Sequence, residues 1–181
     1  MGSGPLVIAL DSSTSATKAV VVGESGQVVA SGSSPIELLT PGMDRYEHDP
    51  EEWWTSTYTA ISSALYSLSN SQKQRIKGIC ITHQRESFAL VDEEGKALRP
   101  AILWLDSRAG AEIKEYGSDE IHELSGKPAD TTPAIYKMAW LKKHEPDVLE
   151  AAAKVVDVHA YLSYQLVGEW VSAMGSADTL N

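Results

Sequence analysis

One cysteine, one phenylalanine and too few basic residues to balance the acidic ones set the first limits on this 181-residue chain. With Cys80 alone, an intrachain disulfide and a cysteine zinc cluster are excluded, which fits a reducing compartment. Cys80 stands in the apolar run Ile79-Cys80-Ile81, where a buried structural thiol is the expectation. Lys and Arg number 15 against 25 Asp and Glu, a formal net charge of −10. Nucleic-acid surfaces need clustered cations to displace counterions from phosphates, so that class of partner is excluded, although a small anion can still be held locally. No run approaches the ~20 apolar residues of a membrane helix, and no basic segment with an apolar core opens the chain. A soluble cytoplasmic protein is expected, with no nucleic-acid or membrane partner, and a homo-oligomer is compatible with the sequence.

What is present is an ordinary globular composition, 43% hydrophobic, with alternating strand and helix signals. The run Pro5 to Leu10 predicts a buried strand, Ala19 to Val22 a second and Val28 to Ser31 a third, joined as two successive hairpins. Asp49-Pro50-Glu51-Glu52 predicts a helix start, with Asp as cap, Pro at the first helical position and Glu52 closing a capping box. Behind it Trp54, Tyr58, Ile61, Leu65 and Leu68 recur at helical spacing and predict one apolar face. Ile76 to Thr82, Phe88 to Val91 and Ala101 to Leu105 read as further strands, with a turn at Asp92 to Gly95. A helix is predicted from Thr132-Pro133 to about Lys143, and another from an Asp157 cap to a Gly168 stop. Trp170 to Ala173 reads as a late strand. The fold class is mixed α/β, without repeats or an evident linker.

Three polar segments stand out against this pattern. Asp11-Ser12-Ser13-Thr14-Ser15-Ala16-Thr17 follows the first strand. Such a turn offers backbone N–H groups and hydroxyls to phosphate oxygens, with the carboxylate acting on them through Mg²⁺. It lacks the Gly-x-x-x-x-Gly-Lys spacing of a Walker loop, and the competing reading is a hairpin loop rich in turn formers. Thr82-His83-Gln84-Arg85-Glu86-Ser87 is six consecutive polar residues between two apolar strands. Its donors and acceptors suit a polyhydroxylated ligand, against a solvated loop with an Arg85–Glu86 ion pair. His83 reads as structural rather than as a general base. Trp104-Leu105-Asp106-Ser107-Arg108 could give an apolar wall and polar contacts to a sugar ring, against a core Trp and a helix cap at Asp106.

Together these segments resemble the FGGY carbohydrate kinases. Ile8 to Ser15 resembles that family's first phosphate motif, Tyr46 to Trp54 its pre-helix segment, and Ile81 to Ser87 its substrate segment, most closely in the glycerol kinase form. Ala101 to Trp104 and Val156 to Gly168 align as well. The resemblance implies an actin-like ATPase (ribonuclease H-like) lobe with a mixed five-stranded sheet flanked by helices. It implies transfer of the γ-phosphoryl group of ATP, with Mg²⁺, to a hydroxyl of a sugar or polyol. It places Asp11 at the metal, Ser13, Thr14, Ser15 and Lys18 at the phosphates, and Gln84, Arg85, Glu86, Trp104 and Asp106 at the sugar. The usual glycine of the phosphate turn is Ser13 here, and the aromatic residue that packs on glycerol is replaced near Thr132. A ketose such as a pentulose is therefore expected over glycerol or gluconate, and the rival of another class is a non-catalytic actin-like module binding nucleotide or protein. Residues 5–181 then read as a truncated N-terminal kinase domain, inactive alone, with the catalytic Asp and the ATP-binding lobe beyond Asn181, and residues 1–4 as a tail left by cloning.

Overall fold

The computed structural model describes residues 4–177. In chain order the first elements are β1 (Leu6–Ser12), β2 (Ala16–Gly23), β3 (Val28–Pro35), β4 (Leu39–Gly42), β5 (Arg45–His48), α1 (Pro50–Tyr66), α2 (Asn70–Lys73) and β6 (Ile76–His83). Then follow β7 (Phe88–Val91), β8 (Ala101–Ile102), α3 (Gly110–Tyr116), α4 (Asp119–Ser125), α5 (Ala134–His144), α6 (Pro146–Ala151), β9 (Lys154–Asp157), α7 (Val158–Val167) and α8 (Met174–Ala177). The chain divides into two compact units, Met1–Glu37 with Glu51–His83 and Leu38–Pro50 with Gln84–Asn181. None of the described helices is long and apolar enough to cross a membrane.

The first unit is built on a four-stranded sheet of order β3-β2-β1-β6. Both hairpins are antiparallel and β6 runs parallel to β1, so the sheet is mixed. Its strand count among the described residues is four, where five were expected. In β1 the residues Leu6, Ile8, Leu10 and Ser12 are buried while Val7, Ala9 and Asp11 are open, so the apolar run buries one face only.

Helix α1 covers this sheet through small residues. A Cβ at Gly32 of β3 would stand 2.3 Å from the carbonyl oxygen of Ala60 and 2.7 Å from the nitrogen of Ala64. Thr17 of β2 and Ser56 of α1 share a hydrogen bond of 2.7 Å. The buried stripe is accordingly Trp53, Thr57, Ala60 and Ala64, while Tyr58 is 63% exposed. The expected stripe had the right period and lay one residue away, about 100° around the helix. Backbone-to-backbone closeness at Gly32 decides the rotation, because Tyr58 and Ile61 could not enter that space. Glu52 also fastens the end of the preceding strand segment: its Oε2 accepts from the Glu37 N–H at 2.7 Å.

Cys80 is exposed, contrary to the expected buried thiol. Among the described residues β6 lies at an edge of the sheet, and its Ile79 is 41% exposed beside Cys80. An apolar run signals burial only where something covers both faces.

The second unit carries a five-stranded antiparallel sheet of order β4-β5-β8-β7-β9. Strand β7 is buried throughout, as its continuous apolar sequence predicts, and Phe88, Leu90 and Ile102 pack with Tyr136, Trp140 and Leu141 of α5. The turn after β7 closes at Gly95, whose φ of 83° suits glycine. Asp157 caps α7 as expected, its Oδ1 accepting from the Ala160 N–H at 2.6 Å, and Gly168 ends the helix at φ 76°. The expected strand from Trp170 to Ala173 is absent. The Trp170 ring instead stacks on Tyr164, centroids 4.0 Å apart, and Ser172 Oγ donates to Asp157 Oδ2 at 2.6 Å, so this segment returns along α7.

Gly32→Ala should destabilise the fold by about 1–3 kcal/mol, because backbone rather than a flexible side chain fills the space a methyl would need. Gly78→Ala in β6, where nothing lies within 4 Å of the added methyl, should be close to neutral. Denaturant unfolding of the two variants checks this, and equal effects would mean that α1 does not rest on Gly32.

Candidate active site

The candidate residues fall into two groups, one in each unit. In the first unit, β1 ends in a tight turn. The Ser13 N–H and Oγ both donate to the Ala16 carbonyl, at 3.0 and 2.7 Å, and the Ile36 N–H donates to the Ser15 carbonyl at 3.0 Å. Small hydroxylated residues fold this way because their side chains bond to nearby backbone. Pairing across the sheet sets Lys18 of β2 and Thr82 of β6 on either side of Asp11. Thr82 Oγ1 donates to Asp11 Oδ1 at 3.0 Å and so aims the carboxylate. A row of cation, carboxylate and hydroxyl thus lies beside a turn carrying Ser13, Thr14 and Ser15.

A single carboxylate in this position suits Mg²⁺ held mainly by water and phosphate oxygens. No cluster of three or more His, Cys, Asp or Glu that could hold a metal alone occurs among the described residues.

The second group begins beyond the boundary between His83 and Gln84, which divides the polar segment. Gln84 is only 7% exposed. Its Oε1 accepts from Ser87 Oγ at 3.0 Å, and Ser87 Oγ accepts from the Trp104 N–H at 3.0 Å. Gln84 is therefore corrected from a sugar contact to an internal brace of the Trp104 segment. Asp106 is corrected more sharply, because it is fully buried and its acceptor positions are filled. Oδ2 accepts from the Tyr46 N–H at 2.7 Å and from Arg108 Nη2 at 2.8 Å, and Oδ1 accepts from the Arg108 N–H and Nε at 3.1 and 2.9 Å. Asp106 is not a helix cap either, since α3 begins at Gly110 without a side-chain cap.

Arg108 Nη2 also reaches Glu47 Oε1 at 2.6 Å, and Arg99 shares that oxygen at 2.5 Å. Burial alone would lower the Arg108 pKa, but its bonds to Asp106 and Glu47 more than offset this and raise it. The Arg108 guanidinium lies over Trp140, 5.0 Å from the ring centre.

Glu86, Arg85 and Trp104 remain as candidate ligand contacts. Arg85 is exposed and Trp104 is 42% exposed. Glu86 holds a left-handed backbone, φ 61°, a costly conformation for a residue with a side chain and one found often at functional sites. Its Oε2 accepts from the Ala134 N–H at 2.9 Å, at the start of α5, and its Oε1 lies 3.3 Å from Lys127 Nζ.

Sequence reasoning passed over Lys137. This residue of α5 is fully buried and its Nζ donates to the carbonyls of Leu103, Trp104 and Thr132 at 3.0, 2.9 and 3.0 Å. Its signal was available: a lysine three and four residues before Trp140 and Leu141 falls on the apolar face of the helix. Burial pushes its pKa down from 10.5 to about 8, against the opposing pull of Asp106 and Glu86.

The N-terminal domain model of the FGGY family of carbohydrate kinases matches residues 6–181. The chain belongs to that family. Among curated relatives of this FGGY domain, the xylulose kinase of Streptomyces rubiginosus is 34% identical over 180 residues, covering 96% of this chain and 36% of the relative. Among solved structures, the xylulose kinase from Rhodospirillum rubrum superposes with a TM-score of 0.90 at 31% identity, covering 97% of this chain and 36% of that one. The gluconate kinase from Lactobacillus acidophilus shares the fold, with a TM-score of 0.90 at 24% identity and the same coverage. The FGGY chain described here thus spans about a third of the length of the relatives it matches.

A lowered lysine pKa has a definite sign in stability. Below the folded value of about 8 both folded and unfolded chains carry the proton, and the cost of burying the charge is full. Between about 8 and 10.5 the unfolded chain binds the extra proton, so this contribution makes the fold gain stability as pH rises. The melting temperature of the wild type relative to Lys137→Met should therefore increase between about pH 7 and about pH 10. A difference that stays constant over that range would show that Lys137 is not desolvated.

Proposed function

We propose that this chain is the N-terminal part of an ATP-dependent carbohydrate kinase that phosphorylates a hydroxyl of a ketose, with a pentulose such as xylulose as substrate. The observation that carries this reading is the Asp11–Lys18–Thr82 row beside the hydroxylated turn, found within an FGGY domain whose relatives include xylulose kinases. ATP bound with Mg²⁺ supplies the phosphoryl group. Asp11 would hold the metal, Lys18 would offset phosphate charge, and Ser13, Thr14 and Ser15 would donate to phosphate oxygens. Catalysis of this kind is mainly positioning and charge neutralisation, which such a row can provide.

On the sugar side, Arg85 donates to hydroxyls, Glu86 accepts from them, and the exposed part of the Trp104 ring offers an apolar wall. The aromatic residue that packs on glycerol in glycerol kinases is replaced near Thr132, which favours a longer substrate than glycerol.

In the full-length enzyme, Asp11→Asn should lower kcat by about a hundredfold or more while the fold is kept. Steady-state rates with MgATP and circular dichroism on the same samples test this, and a near-normal rate would return Asp11 to a turn residue. Arg85→Ala should raise the pentulose KM roughly 5- to 150-fold, the range for a buried partner left unpaired, with the KM for ATP nearly unchanged. Equal pentulose KM values for variant and wild type would remove Arg85 from the sugar site.

A further inference from the structure

Lys137 lies where a lysine is hard to justify on stability. It is fully buried, and it sits in the first turns of α5, the end of a helix where positive charge is disfavoured. Among the described residues its hydrogen bonds go to three backbone carbonyls, two on the Leu103–Trp104 segment and one on Thr132. An apolar side chain would suit the Trp140 and Leu141 face of the helix better. What an apolar side chain could not do is draw three carbonyls from two separate segments to one point.

The residues so tied are those around the candidate sugar contacts. Trp104 is held at its N–H by Ser87 and at its carbonyl by Lys137. Thr132 precedes Ala134, whose N–H is bonded to the Glu86 carboxylate. The ammonium of Lys137 therefore links the backbone of Trp104 to the helix start on which Glu86 rests.

We propose that Lys137 is a positioning residue for substrate, fixing the Trp104 ring relative to Glu86 by gathering the Leu103, Trp104 and Thr132 carbonyls. Lys137 makes no contact with sugar itself. This inference rests on the reading of Arg85, Glu86 and Trp104 as a sugar site.

The test is steady-state kinetics of the full-length enzyme with xylulose and MgATP, for wild type, Lys137→Met and Lys137→Arg. Lys137→Met takes a donor from three carbonyls, of which that of Leu103 keeps a second one, the Asp106 N–H. It should raise the xylulose KM roughly 5- to 150-fold, with the KM for ATP within about twofold of wild type. Lys137→Arg keeps the charge, but a planar guanidinium does not reproduce a compact three-way donor. Its xylulose KM should fall between those of wild type and the Met variant. If the lysine only supported the fold, its replacement would lower the melting temperature and the yield of active enzyme and leave both KM values alone. If Lys137→Met does not fold, the Arg variant decides: a raised xylulose KM at unchanged ATP KM supports the proposal, and an unchanged xylulose KM overturns it. Wild-type enzyme without turnover on any sugar of a pentulose, glycerol and gluconate panel would overturn the kinase reading and this inference with it. That outcome is distinct from active enzyme indifferent to Lys137.

Discussion

The second unit depends on one buried carboxylate. Glu47 Oε1 is shared by Arg99 and Arg108, and Arg108 in turn is bound by Asp106. All four side chains are nearly inaccessible, with Asp106 at 0% and Arg108 at 1%. Ions out of water are tolerable only when each is paired and bonded, and removing one member of such a cluster costs about 3–5 kcal/mol. A domain's whole stability is about 5–15 kcal/mol. Through these bonds β5, the segment after β8 and the Trp140 face of α5 are fixed by charge as well as by packing. The exposed Trp104 stands on the segment so fixed.

The candidate sugar contacts are thereby held by polar groups that do not reach outward. Gln84 and Ser87 brace the Trp104 N–H, Asp106 braces Arg108, and Lys137 gathers carbonyls. Outward polarity is left to Arg85, while Glu86 is tied to the Ala134 N–H and to Lys127 and accepts an unfavourable backbone conformation to stand where it does. Rigid supports beneath a few outward groups are what ligand recognition requires, because loosely held donors and acceptors lose affinity to ordering.

How much of this was legible depended on the range over which each feature is decided. The Asp157 cap and Gly168 stop are settled within a dozen residues and were read correctly. The three-stranded meander of β1, β2 and β3 was equally local. The face of α1 was misplaced by one residue because Gly32, from a strand distant in sequence, sets which side of the helix can approach. Cys80 was misjudged because an apolar run says nothing about whether its strand lies at an edge. The inward direction of Asp106 and Gln84 is not legible, because sequence shows polarity and not direction. Lys137 was missed because a lysine is ordinarily solvated, and only the convergence of three carbonyls from two segments explains its burial. The order of motifs, by contrast, was enough for the family, since several spaced segments had to agree at once.

The path of the chain between the two units has a consequence for how it can fold. Residues 38–50 belong to the second unit yet interrupt the first, which resumes at Glu51 and ends at His83. Strand β5 emerges from the ribosome early, but its partner β8 at Ala101–Ile102 comes more than fifty residues later, after the first unit's last strand. The first unit can therefore close while β4 and β5 are still a loop without a sheet to join. Synthesis thus favours an order, with β1, β2, β3 and β6 all made before the second unit's sheet can assemble onto a waiting hairpin. No single cut in the chain yields both units whole, so neither can have been acquired or exchanged as a simple contiguous module.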